Sequence, residues 1–321
     1  RTARVRSRAA ARRRMTAMLR LSDDHGREVL FPSVPKRVVS LVPSDTLSVA
    51  ELGCGSTLVG RTDYCELPAD LVKSIPTVGG TKNPKIEAIL DLAPDLVLAN
   101  QEENSRADIQ KLLERNVKVW IAFPKRVAEG LAHLAKLARI FRVERDENVR
   151  ALFKKGYGAL TAAEKDRAEN EPLRAFCPIW MDPLMTIHGA TFISDMMDVC
   201  GAQNVFADRE RRYPLAADLG NARPLPQEKT ADRDLRYPRV PLEEVTARAP
   251  ELVLLPDEPH PFTEEDANVF RALPIPAAKT GNVFRLSGKD LCWYGARSAE
   301  GIDRVRAVVA EARKRQRASA G

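Results

Sequence analysis

The sequence predicts an α/β protein of two similar lobes with mostly parallel sheets, joined by one long backbone helix. Three observations carry that expectation. First, residues 87–100, EAILDLAPDLVLAN, recur in register as residues 243–256, EEVTARAPELVLLP. Each copy places a Glu eight residues ahead of the acid that follows a proline, Glu87 with Asp95 and Glu243 with Glu251. Ile86, Ile89 and Leu90, then Val245 and Ala249, suit the buried stripe of a short helix. Pro94 and Pro250 end that helix, because a residue before proline avoids the αR region. Leu96-Val97-Leu98 and Leu252-Val253-Leu254 are compact apolar runs, as in strands covered on both faces of a parallel sheet. A repeat spaced this widely implies paired lobes, since solenoid periods are much shorter. Second, strand-like and helix-like segments alternate in both halves. Third, residues 144–170 read as one helix with few breakers, long enough at 1.5 Å per residue to reach roughly 35–40 Å.

Taken in order, residues 29–31 and 38–42 have strand character. Pro43-Ser44-Asp45-Thr46 follows, with Ser44 or Asp45 as the expected N-cap of a helix to Leu52. Residues 58–60 begin another strand that runs into Asp63-Tyr64-Cys65, and residues 76–80 form a loop. After the first repeat come a helix at 106–114, a strand at 117–123 and an amphipathic helix at 126–140 with Val127, Leu131, Leu134 and Ala138 on one face. Pro172 ends the long helix. A strand at 175–180, a helix near 192–200, the second repeat, a strand at 283–286 and a helix from 296 to about 314 complete the second half. Residues 207–240 are charged, proline-rich and aperiodic. A structureless stretch of that length is unusual in a compact lobe, and it reads as a surface excursion, with a lid over a site as the alternative. The resulting organisation is a basic, disordered tail at 1–28, an N-terminal lobe at 29–140, a backbone helix within 141–171 and a C-terminal lobe at 172–321.

The net charge of +7 misleads: residues 1–20 hold eight arginines and no acid, and the rest has 43 basic against 44 acidic residues. A nucleic-acid role for the body therefore lacks electrostatic support. The arginine-rich start is not followed by the apolar core of a secretory signal. A transit peptide, or initiation at Met15 or Met18, are the other readings. No run of apolar residues reaches transmembrane length. Five scattered cysteines form neither a CxxC nor a zinc spacing and are expected to be reduced.

Searches for catalytic and metal motifs return nothing. There is no G-x-G-x-x-G after a strand, no Walker A, no G-x-S-x-G and no His pair flanking a Glu at helical spacing. His133 reads as a packed or solvated helix residue; His188, in a turn after a strand, is a cleft candidate or a plain loop histidine. Tyr64, Trp180, Trp293 and Tyr294 lie where strands run into loops, the place ligands occupy in open α/β sheets, and stacked aromatics suit a large flat ligand. Packing in the core is the competing role for Trp180 and Trp293. Gly79-Gly80 would let a ligand approach the backbone closely, or simply form a turn. Glu87 and Glu243 are more specific. Two carboxylates at matching places in two repeats invite a partner with two matching cations, and arginine pairs bidentately with carboxylate.

The chain resembles the substrate-binding proteins of the cobalamin and iron-siderophore ABC importers, the class with a single helical backbone, and within it the vitamin B12-binding branch. The resembling pieces are Arg37-Val38-Val39-Ser40-Leu41-Val42-Pro43-Ser44, Val59-Gly60 with Asp63-Tyr64, and Val78-Gly79-Gly80-Thr81 leading to Glu87 and Ala93-Pro94-Asp95-Leu96-Val97. Val199-Cys200-Gly201-Ala202-Gln203-Asn204-Val205-Phe206 follows in the second half. The resemblance implies two Rossmann-like lobes, a rigid connecting helix, a ligand between the lobes and no catalysis; the scattered candidate ligands show no obvious metal cage. It implies docking on arginines of an ABC permease dimer through Glu87 and Glu243, with Glu244 the fallback. The ligand positions it implies are Tyr64, Val78, Gly79 and Gly80 on the first lobe and Trp180 on the second, with Trp293 and Tyr294 fitting less closely. The expected ligand is a corrinoid such as cobalamin, with ferric siderophore or haem as rivals; a cytosolic enzyme or metallochaperone on the same scaffold, or a pure interaction module, are the readings from other classes. The family is exported, so a periplasmic, monomeric protein is implied, although no export signal is visible and a cytoplasmic relative is the alternative. The 207–240 excursion is longer than the family leads one to expect.

Overall fold

A computed structural model describes residues 18–320. The first lobe comprises β1 (Leu19–Ser22), β2 (Glu28–Phe31), β3 (Val38–Ser40), α1 (Pro43–Glu51), β4 (Leu58–Arg61), α2 (Ala69–Val72), α3 (Ile86–Asp91), β5 (Leu96–Asn100), α4 (Arg106–Glu114), β6 (Val119–Ala122) and α5 (Val127–Phe141). The long α6 (Glu147–Glu169) leads into β7 (Leu173–Phe176), β8 (Pro178–Met181), β9 (Leu184–Thr186), α7 (Phe192–Val199), β10 (Ala202–Asn204), α8 (Leu215–Asp218) and α9 (Leu242–Ala247). The second lobe then closes with β11 (Leu252–Pro256), α10 (Glu264–Arg271), α11 (Pro276–Lys279), β12 (Val283–Leu286), α12 (Lys289–Cys292) and α13 (Ser298–Ala320).

The repeat read from the sequence is a repeat in space. The two main sheets, ordered β4-β3-β5-β6 and β10-β7-β11-β12, are parallel throughout and match strand for strand. In each lobe a short helix stops at a residue with positive φ before a proline, Ala93 at 43° and Ala249 at 45°. That conformation is open to a residue barred from αR by the proline that follows. The turn is held the same way twice. Arg37 Nη2 donates to Leu92 O and Arg174 Nη2 to Arg248 O, both at 2.6 Å. Asp95 accepts from the Arg37 amide at 3.0 Å and Glu251 from the Arg174 amide at 2.9 Å. Both following strands, β5 and β11, are buried along their whole length.

The lobes are not independent. One apolar core runs from Val42, Ala122 and Leu131 of the first lobe through Leu160 of α6 to Phe192, Met196 and Ile302 of the second. Polar contacts stitch the same seam. The Val127 amide, one of the unsatisfied donors at the start of α5, is taken by Asp195 Oδ2 of α7 at 2.7 Å. Ser48 Oγ accepts from the Ala296 amide at 3.1 Å. Gly295 makes that approach feasible: its φ is +76°, and a Cβ there would lie 2.4 Å from Ser48 Oγ. α6 is pinned to α13 by Arg306–Asp166 at 2.6 Å and to α7 by Arg167–Asp198 at 2.9 Å.

Several expectations need correction. Residues 19–28 are not part of a disordered tail. β1 and β2 pair as a hairpin, and Asp24 and Arg27 tie its turn to β6 by hydrogen bonds with Ile121, Val119 and Phe123. Residues 1–17 lie outside the described residues. The cap of α1 is Val42, with Pro43 in the first turn and no side-chain cap; Asp45 is buried and bonded elsewhere. The strand expected at 175–180 breaks at Cys177, and residues 178–181 turn into an antiparallel hairpin with β9. Pro178 has no N–H to continue the central ladder. All five cysteines are unpaired, and burial pushes the Cys177 and Cys200 thiols up to about 12. No described helix is long and apolar enough to cross a membrane.

At the centre of the seam, the Tyr294 hydroxyl accepts from Asn100 Nδ2 at 3.1 Å and donates to Asp45 Oδ2 at 3.4 Å. His133 Nε2 donates to Asp45 Oδ1 at 2.8 Å. Tyr294→Phe should lower unfolding free energy by about 1–3 kcal/mol, since it strands the buried Asn100 donor. Urea unfolding followed by circular dichroism reads this, and an unchanged midpoint would show that the hydroxyl contributes nothing to the seam.

Candidate functional site in the interlobe cleft

Residues just beyond the carboxyl ends of strands, the place ligands occupy in parallel α/β sheets, make ion pairs between the two lobes. After β4 the chain turns through Asp63 and Tyr64, and the Asp63 amide donates to Gly79 O at 3.0 Å. Tyr64 lies against Gly80: a Cβ at Gly80 would meet the Tyr64 ring at 3.4 Å and Asn83 Oδ1 at 2.4 Å. Gly79 has φ +95°, the left-handed region in which glycine carries no steric cost. The structure brings together Tyr64, Gly79 and Gly80, which the family resemblance had grouped. Val78 is adjacent but fully buried, so its side chain belongs to the core and only its backbone borders the loop.

On the second lobe Trp180 caps the β8–β9 hairpin, its indole N–H donating to Asp182 O at 3.0 Å and its ring edge-on to His260 at 5.4 Å. His260 follows Glu258 at the carboxyl end of β11. Glu258 accepts from Lys289 Nζ at 3.2 Å, and Lys289 reaches across to Glu66 of the first lobe at 2.6 Å. Lys289 thus ties the loop after β11 that carries Glu258 and His260 to Glu66, two residues from Tyr64. Burial works against the Lys289 ammonium, but Glu66 and Glu258 overcome it and hold Lys289 above the usual lysine range. Among the large apolar side chains Tyr64 is 64% and Trp180 43% exposed, so aromatic surface stands uncovered on both walls.

A second bridge crosses from the 207–240 segment. Arg236 pairs with Glu102 of the first lobe, the Tyr237 hydroxyl donates to the same carboxylate at 2.6 Å, and the Arg236 guanidinium lies 4.9 Å from the Phe123 ring centroid. The segment is therefore more than a surface excursion, because its returning end spans the cleft. Glu102 and Glu258 occupy equivalent places two residues beyond the paired repeat copies, so the cleft carries a pseudo-symmetric pair of carboxylates, each engaged by a cation.

Three expected ligand contacts are elsewhere. Tyr294 is buried at the seam, edge-on to His133 and Phe192. Trp293 is buried beside it, with Lys289 Nζ 5.5 Å from its ring centroid. Their position at the end of α12, under the cleft floor, makes them packing residues. His188 does not join the cleft. Its amide donates to Arg236 O at 2.8 Å and the Thr186 amide to Pro238 O at 3.0 Å, and this pairing sets the turn against the returning segment. His188 Nδ1 accepts from the Ala190 amide at 3.0 Å.

Glu87 and Glu243 sit in the first turns of the equivalent helices α3 and α9, both exposed. Glu87 has a loose contact with Arg115 at 3.4 Å; Glu243 has no ion-pair partner among the described residues. Glu244 is paired with Arg209 at 3.2 Å and Arg248 at 3.3 Å, unlike Glu243. Lys289, Glu258, Glu66, Arg236 and Glu102 were not singled out from the sequence. The available signal was the repeat itself, carried two residues past Asn100 and Pro256. Among the described residues no group of His, Cys, Asp and Glu is arranged to hold a metal ion.

The profile of the periplasmic binding protein family matches residues 38–289. A vitamin B12-binding protein of Pectobacterium atrosepticum is 30% identical over 205 residues, covering 59% of this chain and 73% of its own length. One from Yersinia pestis (strain Pestoides F) is 29% identical over 181 residues, covering 56% of this chain, and the match spans only 63% of that relative. Among solved structures, the periplasmic vitamin B12 binding protein BtuF of Vibrio cholerae superposes with a TM-score of 0.68 at 20% identity, over 88% of this chain and 99% of its own. The periplasmic heme-binding protein RhuT from Roseiflexus gives 0.65 at 17% identity, over 86% and 98%. At these identities the two structures establish a shared fold.

Of the three tryptophans, Trp120 and Trp293 are buried and Trp180 is open to solvent. Iodide should therefore quench one component of the fluorescence, and Trp180→Phe should remove it. A quenchable fraction that survives this substitution would place Trp293 at the surface and undo the assignment of the cleft wall.

Proposed function

This chain belongs to the periplasmic binding protein family, and from that premise we propose that it binds a corrinoid of the cobalamin type between its lobes and delivers it to an ABC importer, without catalysing a reaction. The observation that supports this reading is the pair of exposed aromatic rings, Tyr64 on the first lobe and Trp180 on the second, each in chain that follows a strand carboxyl end. A broad, flat ligand with polar edges satisfies both features of such a site: rings for its faces, and Glu66, Lys289, Glu258, Arg236 and Glu102 for its rim. The B12-binding relatives support the choice of ligand. In this reading the protein works as a monomer outside the cytoplasm. The shared core beneath the cleft restricts hinge motion, so binding proceeds with little lobe closure and with local opening of the Arg236–Glu102 and Lys289–Glu66 bridges.

Haem or a ferric siderophore is the second reading. Tyr64 favours it specifically, because its exposed phenol is an oxygen donor at the cleft and tyrosine is one of the side chains that hold haem iron. Titration of the full chain with cyanocobalamin, haem and a ferric siderophore in parallel, by calorimetry and tryptophan quenching, separates the readings. One-to-one binding of cobalamin, weakened by Trp180→Ala, is the expected result. Binding of haem alone with loss on Tyr64→Phe would replace the corrinoid, and no response to any of the three would remove the carrier role.

Docking is proposed to run through Glu87 and Glu243, at equivalent exposed places on the two lobes and each matched by a permease arginine. Ala at both positions is expected to abolish stimulation of the importer's ATPase in proteoliposomes, with ligand affinity unchanged. A fall in ligand affinity instead would assign the two glutamates to the cleft.

A further inference from the structure

The second lobe holds a cavity of about 640 Å³ between the 207–240 segment and α9, bordered by His188, Arg211, Arg212, Tyr213, Leu225 and Arg248 among others. All of its lining residues belong to the second lobe, and none is among the cleft residues described above except His188, which the structure removes from the cleft. The charge arrangement around it is unbalanced. Asp218 is buried and spends its oxygens on Arg209 Nη1 at 3.1 Å, the Arg212 amide at 2.9 Å and the Arg239 amide at 2.8 Å. Glu244 is taken by Arg209 and Arg248, Asp208 by Arg248 at 2.6 Å, and Asp234 by Arg236 at 2.6 Å. Glu210 remains, exposed at the rim.

Glu228 and Asp232 are likewise exposed and without an ion pair, while Arg211, Arg212, Arg233 and Arg239 make no ion pair among the described residues. Two of these guanidinium groups, Arg211 and Arg233, crowd the single ring of Tyr213, each 4.5 Å from its centroid. The Nε atoms of Arg211 and Arg239 are buried without a hydrogen-bond partner. Burial, and then repulsion from Arg211, push the Arg239 guanidinium below its usual range, with Asp218 opposing. Buried donors left unpaired beside like charges are costly, and an anion with several acceptor oxygens in the cavity, which Arg211 lines and Arg239 does not, relieves that cost at Arg211.

We propose that this cavity is an oxyanion site that takes phosphate, free or as the monoester of a small organic molecule. Arg211 and Arg212 supply donors to the phosphate oxygens, while Tyr213 and Leu225 offer an apolar wall to any ester group. The cavity lies within the range of volumes that hold small ligands, about 300–1,000 Å³. The proposal stands independently of what the cleft carries.

The test is calorimetric titration of the full chain with inorganic phosphate and with phenyl phosphate at fixed moderate salt. Four chains are compared: wild type, Arg211→Gln, Arg212→Gln and Arg150→Gln, the last an exposed arginine on α6 as control. One saturable site is expected in wild type and Arg150→Gln, weakened about tenfold or more in Arg211→Gln through loss of a charge-assisted hydrogen bond and to a smaller degree in Arg212→Gln. Because Arg212 is exposed, its variant keeps the test decisive if Arg211→Gln folds poorly. Tighter binding of phenyl phosphate identifies an ester ligand; equal affinities identify free phosphate. The proposal fails if no saturable site is found, or if all four chains bind alike, as they would if the anion is held by the arginines of residues 1–20.

Discussion

The seam around Tyr294 is the constraint on which the rest of the structure depends. A phenol near the end of the chain enters a buried pocket formed by Asp45, Asn100 and His133 of the first lobe. The same residue packs on Phe192 of the second. Buried polar groups are costly unless paired, so this arrangement fixes the relative position of the lobes more sharply than apolar contact alone. The glycines around it are there for space. A Cβ at Gly130 would come within 2.8 Å of the Tyr294 Cβ, and one at Gly295 within 2.4 Å of Ser48 Oγ. The lobes are thus held together from below the cleft.

The internal repeat explains why that cleft has two similar walls. Both sheets have the same strand order and point their carboxyl ends toward the cleft, so equivalent loops meet there. Glu102 and Glu258 are the clearest consequence: the same step beyond the central strand places a carboxylate on each wall, and each is neutralised by a cation from the second lobe. The lobes diverge in the loops that follow their strands. Tyr64 and Gly80 come from the first lobe, whereas Trp180 rides on a hairpin that has no counterpart there. The long segment after β10 also has no counterpart.

That segment shows how charge can organise a stretch with no apolar periodicity. Arg209 is almost wholly buried, yet it bonds Asp218 and Glu244 and reaches the backbone oxygen of Asp218 at 2.6 Å. A buried pair is tolerated when its remaining hydrogen-bonding groups are satisfied, and here the ion pairs replace a hydrophobic core as the framework of the loop. The same economy leaves other arginines without carboxylates.

By itself the sequence determined the two-lobed α/β architecture and the equivalence of Glu87 with Glu243. Both follow from local pattern: apolar runs of strand length and a proline that ends a helix at a fixed step. The grouping of Tyr64 with Gly79-Gly80 came from the family resemblance, not from the pattern of the residues. Only the tertiary structure decided the fate of Tyr294, Trp293 and His188. All three look like cleft residues by their position after a strand or short helix, but whether such a side chain faces ligand or core depends on what the other lobe or the returning 236–240 segment brings against it. The bridges of Lys289 to Glu66 and Arg236 to Glu102 join residues more than a hundred positions apart. A single charged residue carries no mark of its partner, so these pairings were invisible until the chain was folded.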